Sequence, residues 1–306
     1  MKTLTTHINN YLSFCKTQKC LDAKTIKAYR IDLNQFSTHS KIQNIADATV
    51  DCLEAFIAFL HQAYKPKTAK RKIASVKAFF HYLEYKDLII INPFNKIQVK
   101  FREPIILPKI IPLPALETLL RTIYKQHELA ATTYQKRKTL QDITIVELLF
   151  STGIRISELC LLQASDVDLL DNTILIFGKG AKERRIQIEN TDVLDILTRY
   201  QNCFYDQIIE SNYFFPNRSG QPVTDQYVRN MINKYTTLAG LNIHITPHMF
   251  RHTFATSLLD ADVDIRYIQE LLGHSSINVT EIYTHVTTAK QRDILKTKHP
   301  RRDFHI

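Results

Sequence analysis

The sequence predicts a mainly α-helical protein with a small antiparallel β-sheet, divided into two domains. Of its 306 residues 44% are hydrophobic, and glycine occurs only 6 times whereas tyrosine occurs 14 times and phenylalanine 16 times. Apolar side chains recur through most of the chain at the three- or four-residue spacing of a buried helix face. Strand-like segments are confined to residues 166–188, and a proline-rich stretch interrupts the helical pattern at residues 94–114.

Residues 1–93 are predicted to form a helical domain of four helices, which Pro93 closes. Each helix is marked by an apolar stripe, which we interpret as core rather than as a cofactor site. The stripes are Leu4, Ile8, Tyr11 and Leu12; Ile26, Tyr29, Leu33 and Phe36; Val50, Leu53, Ile57 and Leu60; and Ile73, Val76, Phe79, Phe80 and Leu83.

Residues 94–114 are predicted to be an extended linker, and residues 115–306 a second domain. The linker contains Pro104, Pro108, Pro112 and Pro114. Proline neither continues a helix interior nor pairs in a central strand, so this stretch belongs to neither kind of element.

The second domain is predicted to be helical around three short strands. Helices are expected from Leu116 to about Gln126, from Ile143 to Ser151, at about 191–203, and at 225–239 after the cap Thr224. Residues 127–141 are polar and weakly periodic, which fits either a loop or a helix extension. The strands are Asp166–Leu169, Thr173–Phe177 and Arg184–Ile188, and the glycines of GKGAKE predict a hairpin between the last two.

Positive charge is concentrated in the first third of the chain. Residues 1–100 hold 16 Lys and Arg against 7 Asp and Glu, whereas residues 101–306 hold 24 against 23. A local basic surface favours a nucleic-acid backbone as partner, with an acidic membrane or simple solvation as the alternatives. No apolar run has membrane-spanning length, and the N-terminus lacks the apolar core of a signal peptide. The five cysteines are scattered, so we expect reduced thiols and a cytoplasmic protein.

The predicted DNA contacts lie on the second helix and around the start of the fourth. Lysine, arginine and short hydroxyl side chains can all donate to phosphate oxygens, although a solvated face is the alternative. The fourth helix carries cations from Lys65 to Lys77 with no acid among them. The candidates are Lys24, Lys27, Arg30, Lys67, Thr68, Lys70, Arg71 and Lys77, of which Lys70 and Arg71 are the positions chosen for charge reversal.

Residues 247–283 contain the main set of candidate catalytic side chains. Thr246 and Pro247 predict a helix start, which places His248 and Arg251 on one face at the end where anions are favoured. His274 follows the helix stop at Gly273, and Tyr283 lies on a further predicted helix. Upstream, Arg155 follows Gly153 with Glu158 three residues later, and Lys179 lies at the hairpin tip.

These residue types suit attack by a tyrosine on a phosphodiester. Two guanidinium groups can bind the oxygens that gain charge, a histidine can accept the phenol proton, and a lysine can protonate the leaving 5′ oxygen. No metal or cofactor is required. Although His244, His248 and His252 are four residues apart, Pro247 places His244 before the helix, and neither a carboxylate nor a cysteine completes a metal site.

Each candidate also has a structural alternative. Tyr283 can be a packing or surface tyrosine, His274 a helix-capping histidine, and Lys179 a solvated turn residue. Glu158 is expected to support Arg155 rather than to take part in the chemistry.

At these residues the sequence resembles the tyrosine recombinase, or phage integrase, family, and most closely its Xer-like branch. The motifs are TGIRISEL at 152–159, GKGAKERR at 178–185, HMFRHTFAT at 248–256, LLGH at 271–274, IYTHV at 282–286 and KHPR at 298–301. AYRIDL at 28–33 and the basic fourth helix resemble the core-binding (SAM-like) domain of the family. Residues 127–141 look longer than in compact Xer proteins, and the turn at 260–262 lacks the glycine that the family often has.

The resemblance implies a two-domain, C-shaped clamp around duplex DNA. The catalytic set is then Arg155, Lys179, His248, Arg251 and His274, with Tyr283 as the nucleophile. The partners are double-stranded recombination sites and three further protomers of a homotetramer, with or without a paralogous recombinase or an accessory protein, and not a membrane. Residues 287–306 are expected to dock on a neighbouring protomer.

The predicted function is site-specific recombination through a 3′-phosphotyrosyl intermediate and a Holliday junction. It serves either chromosome dimer resolution or the integration and excision of a mobile element. The alternatives are a catalytically silent DNA-binding protein on the same scaffold and a type IB topoisomerase-like enzyme.

Overall fold

A computed structural model describes residues 3–99, 108–178 and 183–273. The chain divides into two units, Met1–Ile105 and Ile106–Ile306, each with its own apolar core. Within the described residues, no helix combines the length and the apolar character needed to cross a membrane.

The first unit is a bundle of the four predicted helices, whose existence is confirmed. They are α1 (Leu4–Thr17), α2 (Ala23–Ser40), α3 (Val50–Ala63) and α4 (Pro66–Tyr85). The hydroxyl or carboxylate oxygens of Thr3, Asp22 and Thr49 accept from backbone N–H groups at the starts of the first three helices, and Pro66 opens the fourth. The predicted stripes form the core, where Phe36 packs edge-on against Phe56 and Phe80.

Both ends of the predicted linker are packed rather than extended. Phe94 belongs to a short 3₁₀ turn and is buried in the core of the first unit, with Ile97 and Val99 against it. Ile111 is buried in the second core, and its backbone N–H donates to Thr253 Oγ1 at 2.8 Å. The apolar side chains of Phe94 and Ile111 therefore anchor the two ends of this stretch in the two cores, although the stretch is rich in proline.

The second unit surrounds a three-stranded antiparallel sheet with helices. The helices are α5 (Leu113–Glu128), α6 (Thr133–Thr152), α7 (Ile156–Cys160), α8 (Thr191–Ser211), α9 (Asp225–Leu238), α10 (Pro247–Asp260) and α11 (Ile265–Leu272). The sheet has the order β1 (Val167–Asp168), β2 (Thr173–Phe177) and β3 (Glu183–Gln187), with Ile174 opposite Ile186. The mainly helical fold with a small sheet is therefore confirmed.

Of the two alternatives for residues 127–141, the structure shows mainly a helix extension, because α6 begins at Thr133, ten residues before Ile143. Thr132 and Gln135 form a capping box that starts it, and α5 extends to Glu128, so only a short connection remains within 127–141. The N-terminal half of α6 is polar because it lies at the surface, whereas residues 140–146 are all buried. A helix that is exposed at one end and enclosed at the other has no single periodic stripe.

Candidate active site

The corner between α6 and α7 positions Arg155. α6 ends at Gly153, whose left-handed backbone (φ +58°) turns the chain. A Cβ at this glycine would lie 2.7 Å from Cδ1 of Phe254, so α10 packs directly against the glycine backbone. Two residues later, Arg155 caps the start of α7 with its side chain 32% exposed. The glycine therefore lets α10 approach the corner that carries Arg155.

Glu158 holds both the backbone and the side chain of Arg155. Its Oε2 accepts from the Arg155 backbone N–H at 3.1 Å, and its Oε1 accepts from Nη1 at 2.6 Å. The carboxylate therefore fixes the direction of the guanidinium as it leaves the helix start. The supporting role that we assign to Glu158 is consistent with these two bonds.

Arg184 on β3 is a third member of this cluster, and sequence reasoning missed it. Its Nη2 donates to Glu158 Oε2 at 2.6 Å and its Nη1 to Oε1 at 3.3 Å, while its side chain is only 8% exposed. Burial alone raises the pKa of Glu158, but the bonds and charge of Arg184, followed by those of Arg155, hold it below its usual range. Alternation along the strand was the available signal, because Arg184 shares a face with the buried Ile186.

The side chain of Arg251 donates hydrogen bonds to the backbone of two other motifs. Its side chain is buried, with Nη1 donating to the carbonyl of Gly153 at 2.8 Å and Nη2 to the carbonyl of Leu272 at 2.6 Å. One guanidinium thus joins the end of α6, the start of α10 and the end of α11. Two members of the predicted catalytic set, Arg155 and Arg251, thus lie at the same corner of the second unit.

The end of α11 lies against both arginines of the Glu158 cluster. Gly273 ends the helix with φ +63°. Its carbonyl accepts from Arg155 Nη2 at 3.4 Å, and a Cβ here would lie 3.1 Å from Cδ of Arg184. The end of α11 therefore lies beside Arg155 and Arg184. The next residue in the sequence is His274.

His248 lies in the first turn of α10 and is exposed at the surface of the second unit. Partial desolvation lowers its pKa, and Arg229, Arg251 and Arg155 lower it further, against a smaller opposing effect of Asp225. The imidazole is therefore neutral near pH 7, which is the form that can accept a proton.

The structure brings Arg155, Glu158, His248 and Arg251 to one region of the second unit. Lys179, His274 and Tyr283 lie outside the described residues, and so does the docking segment 287–306.

The predicted DNA-contact residues lie on the first unit. Lys24, Lys27 and Arg30 are exposed on α2, and Lys67, Lys70, Arg71 and Lys77 are exposed on α4, with Thr68 half-buried beside them.

No acid lies among the fourth-helix cations in the sequence, but in three dimensions α2 brings Asp32 against α4. The fully buried Asp32 carboxylate accepts from both terminal nitrogens of Arg71, from Lys72 Nζ at 3.0 Å and from Ser75 Oγ at 2.7 Å. Lys72 is itself buried and lies 4.9 Å above the ring of Tyr64. Arg71 therefore links α4 to α2 through Asp32, in addition to any contact that it makes with DNA.

Comparison with known proteins identifies both units. Residues 121–290 match the phage integrase family, and residues 8–86 match the phage integrase N-terminal SAM-like domain. A tyrosine recombinase of Agathobacter rectalis is 63% identical over the whole of both chains. The tyrosine recombinase XerD of Staphylococcus haemolyticus is 33% identical over 97% of this chain and 99% of its own.

The fold also agrees with a solved structure. The site-specific recombinase XerH, bound to its palindromic difH substrate in a post-cleavage complex, matches with a TM-score of 0.74. The two chains are 23% identical, and the match covers 93% of this chain and 83% of XerH. The sequence matches show that the chain belongs to the phage integrase family of enzymes, the tyrosine recombinases.

Proposed function

We propose that this tyrosine recombinase cuts and rejoins specific sites in duplex DNA, with Tyr283 as the nucleophile. The observation that supports this most directly is the position of Arg251, whose two bonds join the corner before Arg155 to the helix end before His274. Three motifs that are far apart in sequence thus meet where a phosphodiester needs cations. Lys179 and Tyr283 complete the set by their places in the sequence.

In the proposed reaction the Tyr283 oxygen attacks the phosphorus and the bond to the 5′ oxygen breaks. The phenol proton passes to a histidine, either His248 or His274, and Lys179 supplies a proton to the leaving 5′ oxygen. Arg155 and Arg251 stabilise the charge on the non-bridging oxygens. The 3′-phosphotyrosyl bond keeps the energy of the phosphodiester, so that the 5′ hydroxyl of a second duplex can rejoin the strand without a cofactor.

The proposed assembly contains two DNA sites and four protomers, and it exchanges strands through a Holliday junction. The basic surface of the first unit contacts the phosphates, and residues 287–306 dock on the neighbouring protomer. Light scattering of the protein with and without a cleavable duplex tests the assembly. A complex that never exceeds one protomer per DNA site contradicts it.

The nucleophile is tested by covalent capture on nicked suicide duplexes, drawn from randomised or host-derived sequence. We expect Tyr283→Phe to abolish capture while it retains DNA binding, because only the phenol oxygen is lost. Tyr267→Phe is the matched control, since Tyr267 is an exposed tyrosine of α11, and it should capture normally. Capture by the Tyr283 variant means that another residue is the nucleophile.

The same selection separates the remaining functions. Binding without any covalent product from the wild-type protein favours a silent DNA-binding protein or a need for an activating partner. Relaxation of plasmids that lack a recovered site favours a type IB topoisomerase. A recovered chromosomal terminus-like site indicates dimer resolution, whereas the ends of a mobile element indicate integration and excision.

A further inference from the structure

The second unit contains a cavity that the proposed reaction does not use. It lies between the N-terminal half of α6, α8, the connector 213–223 and the start of α9, and its volume is about 690 Å³. Cavities that bind ligands in proteins commonly measure about 300–1,000 Å³. Tyr134, Arg137 and Lys138 on its wall belong to the stretch 127–141, which the family resemblance leaves unexplained.

The charge of the cavity wall is wholly positive. Arg137, Lys138 and Arg218 line it without any aspartate or glutamate among the lining residues. Over residues 3–99, 108–178 and 183–273, none of the three forms an ion pair with a carboxylate. Asp142 lies near Lys138, but its two oxygens accept from the hydroxyls of Tyr227 and Tyr235. Like charges gathered around a cavity favour a bound anion.

Two of the cations are held in place by aromatic rings. The guanidinium of Arg137 lies 4.6 Å from the centroid of Phe204, and that of Arg218 lies 4.5 Å from the centroid of Tyr134. Stacking covers the face of a guanidinium and leaves the N–H groups on its edge to bind a carboxylate. Arginines that are ordered before binding lose less side-chain entropy when a ligand arrives.

The apolar part of the cavity favours a peptide over DNA. Tyr134, which is 51% exposed, contributes aromatic carbon surface to the wall, whereas a phosphate group presents only oxygen atoms. Lys138 lies fifteen residues before Gly153 on the same helix, which corresponds to about 22 Å along the axis. The cavity is therefore remote from the corner that carries Arg155. Aromatic and arginine side chains are also the types that are enriched at protein interfaces.

We propose that this cavity is a docking site for an acidic peptide segment of a partner protein, in which one aliphatic or aromatic side chain lies beside the carboxylates. The carboxylates pair with Arg137 and Arg218, and the apolar side chain packs beside the exposed ring of Tyr134. The C-terminal segment of this chain is a poor occupant, because residues 287–306 contain six Lys and Arg against two Asp.

Peptide display on the full-length protein tests the proposal. We expect enriched peptides to carry two or more Asp or Glu within about four residues of Leu, Phe, Tyr or Trp, since charged pairs and one anchor supply most of the affinity. The most enriched peptide is then synthesised with a fluorescent label, and its dissociation constant is measured by anisotropy. Arg137→Gln and Arg218→Gln should each weaken it about tenfold or more, as expected for a lost charge-assisted hydrogen bond.

Lys125→Gln is the matched control, since it removes a charge from an exposed position of α5 outside the cavity wall. It should change the dissociation constant less than about twofold. Circular dichroism verifies that each variant is folded, and covalent DNA capture by the arginine variants should equal that of the wild type. The proposal is overturned if no acidic peptides are enriched or if the arginine variants bind them normally. It is also overturned if the arginine variants lose affinity for a labelled duplex, which assigns the surface to DNA.

Discussion

At the scale of single residues, Glu158 is the carboxylate on which the geometry of the site depends most. It binds Arg155 and Arg184 at once, and its side chain is 8% exposed. Removing one member of a buried ionic cluster leaves the others uncompensated, which costs more than the loss of an exposed ion pair. Arg184, which sequence reasoning passed over, is thus linked to Arg155 through the carboxylate that they share.

Glu158→Gln should therefore lower both the activity and the stability of the protein. We expect the rate of covalent capture to fall about tenfold or more and the free energy of unfolding to fall by about 1–3 kcal/mol, because two arginines lose their charged partner. Single-turnover capture and urea denaturation measure the two effects. Glu117→Gln is the control, since its pair with Arg121 is exposed on both sides and is expected to contribute less than about 0.5 kcal/mol. Equal effects of the two substitutions contradict a special role for Glu158.

The lowered pKa of His252 predicts that the stability of the protein depends on pH. Burial, followed by the charges of His248 and Arg251, lowers its pKa from 6.5 to about 4. Between these values the unfolded chain binds more protons than the folded protein, so the free energy of unfolding falls as the pH drops from 6.5 towards 4. The loss at this partly exposed group should be about 1–2 kcal/mol after solvent screening.

Chemical denaturation of the wild type and of His252→Gln between pH 7 and pH 4 measures this effect. The variant should lose less stability on acidification than the wild type does, although acidic residues such as Glu158 contribute a separate loss at the lower end. Parallel pH profiles of the two proteins rule out His252 as a cause.

At the scale of elements, α6 organises the second unit. Its middle is buried, and its C-terminal end presents Gly153 to α10. Its exposed N-terminal half carries Tyr134, Arg137 and Lys138 to the cavity. One helix therefore supports the proposed active site at one end and the proposed peptide site at the other.

Gly153→Ala tests how closely α6 and α10 must approach. A methyl group would lie 2.7 Å from the Phe254 ring and would also occupy a left-handed backbone. We expect the free energy of unfolding to fall by about 2–4 kcal/mol. The rate of covalent capture should also fall, because α10 must shift and carries Arg251 with it. Gly240→Ala is the control, since Gly240 has φ +66° but nothing within 4 Å of an added Cβ. It should cost only the backbone strain of about 1–2 kcal/mol. Similar losses at both positions mean that the contact with Phe254 is unimportant.

At the scale of the whole molecule, the charge is unevenly divided, and the first hundred residues carry nearly all of the excess. The ion cluster around Asp32 uses part of this charge internally, through Arg71 and Lys72. Charge reversal at Arg71 would therefore place a carboxylate beside the buried Asp32 and would test the folding of the bundle together with DNA binding. Lys67 and Lys70 are both exposed on α4 and serve as the positions for the test of DNA contact.

Lys67→Glu and Lys70→Glu should weaken DNA binding and flatten its dependence on salt. Each lost phosphate contact should reduce the slope of log K against log salt by about 0.9, because fewer counterions are released. Titrations of a labelled duplex at several salt concentrations measure the slope. Lys125→Glu, an exposed cation of the second unit, is the control and should leave the slope unchanged. An unchanged slope in both α4 variants places the phosphate contacts elsewhere.

The sequence by itself determined the helical class of the protein, the four helices of the first unit and its family. Apolar stripes such as Leu53, Ile57 and Leu60 need only a local period to be recognised, and the family motifs are contiguous in sequence. The sequence alone predicts these features because they depend only on residues that lie within one or two helical turns of each other.

Only the tertiary structure decided which charges meet. Asp32 pairs with Arg71 across 39 positions, and Glu158 pairs with Arg184 across 26. The choice between a loop and a helix for residues 127–141, and the packing of the ends of the predicted linker, likewise could not be decided from a local period. A buried carboxylate takes whichever cation the packing of helices and strands brings within about 3 Å, and no spacing along the chain encodes that choice.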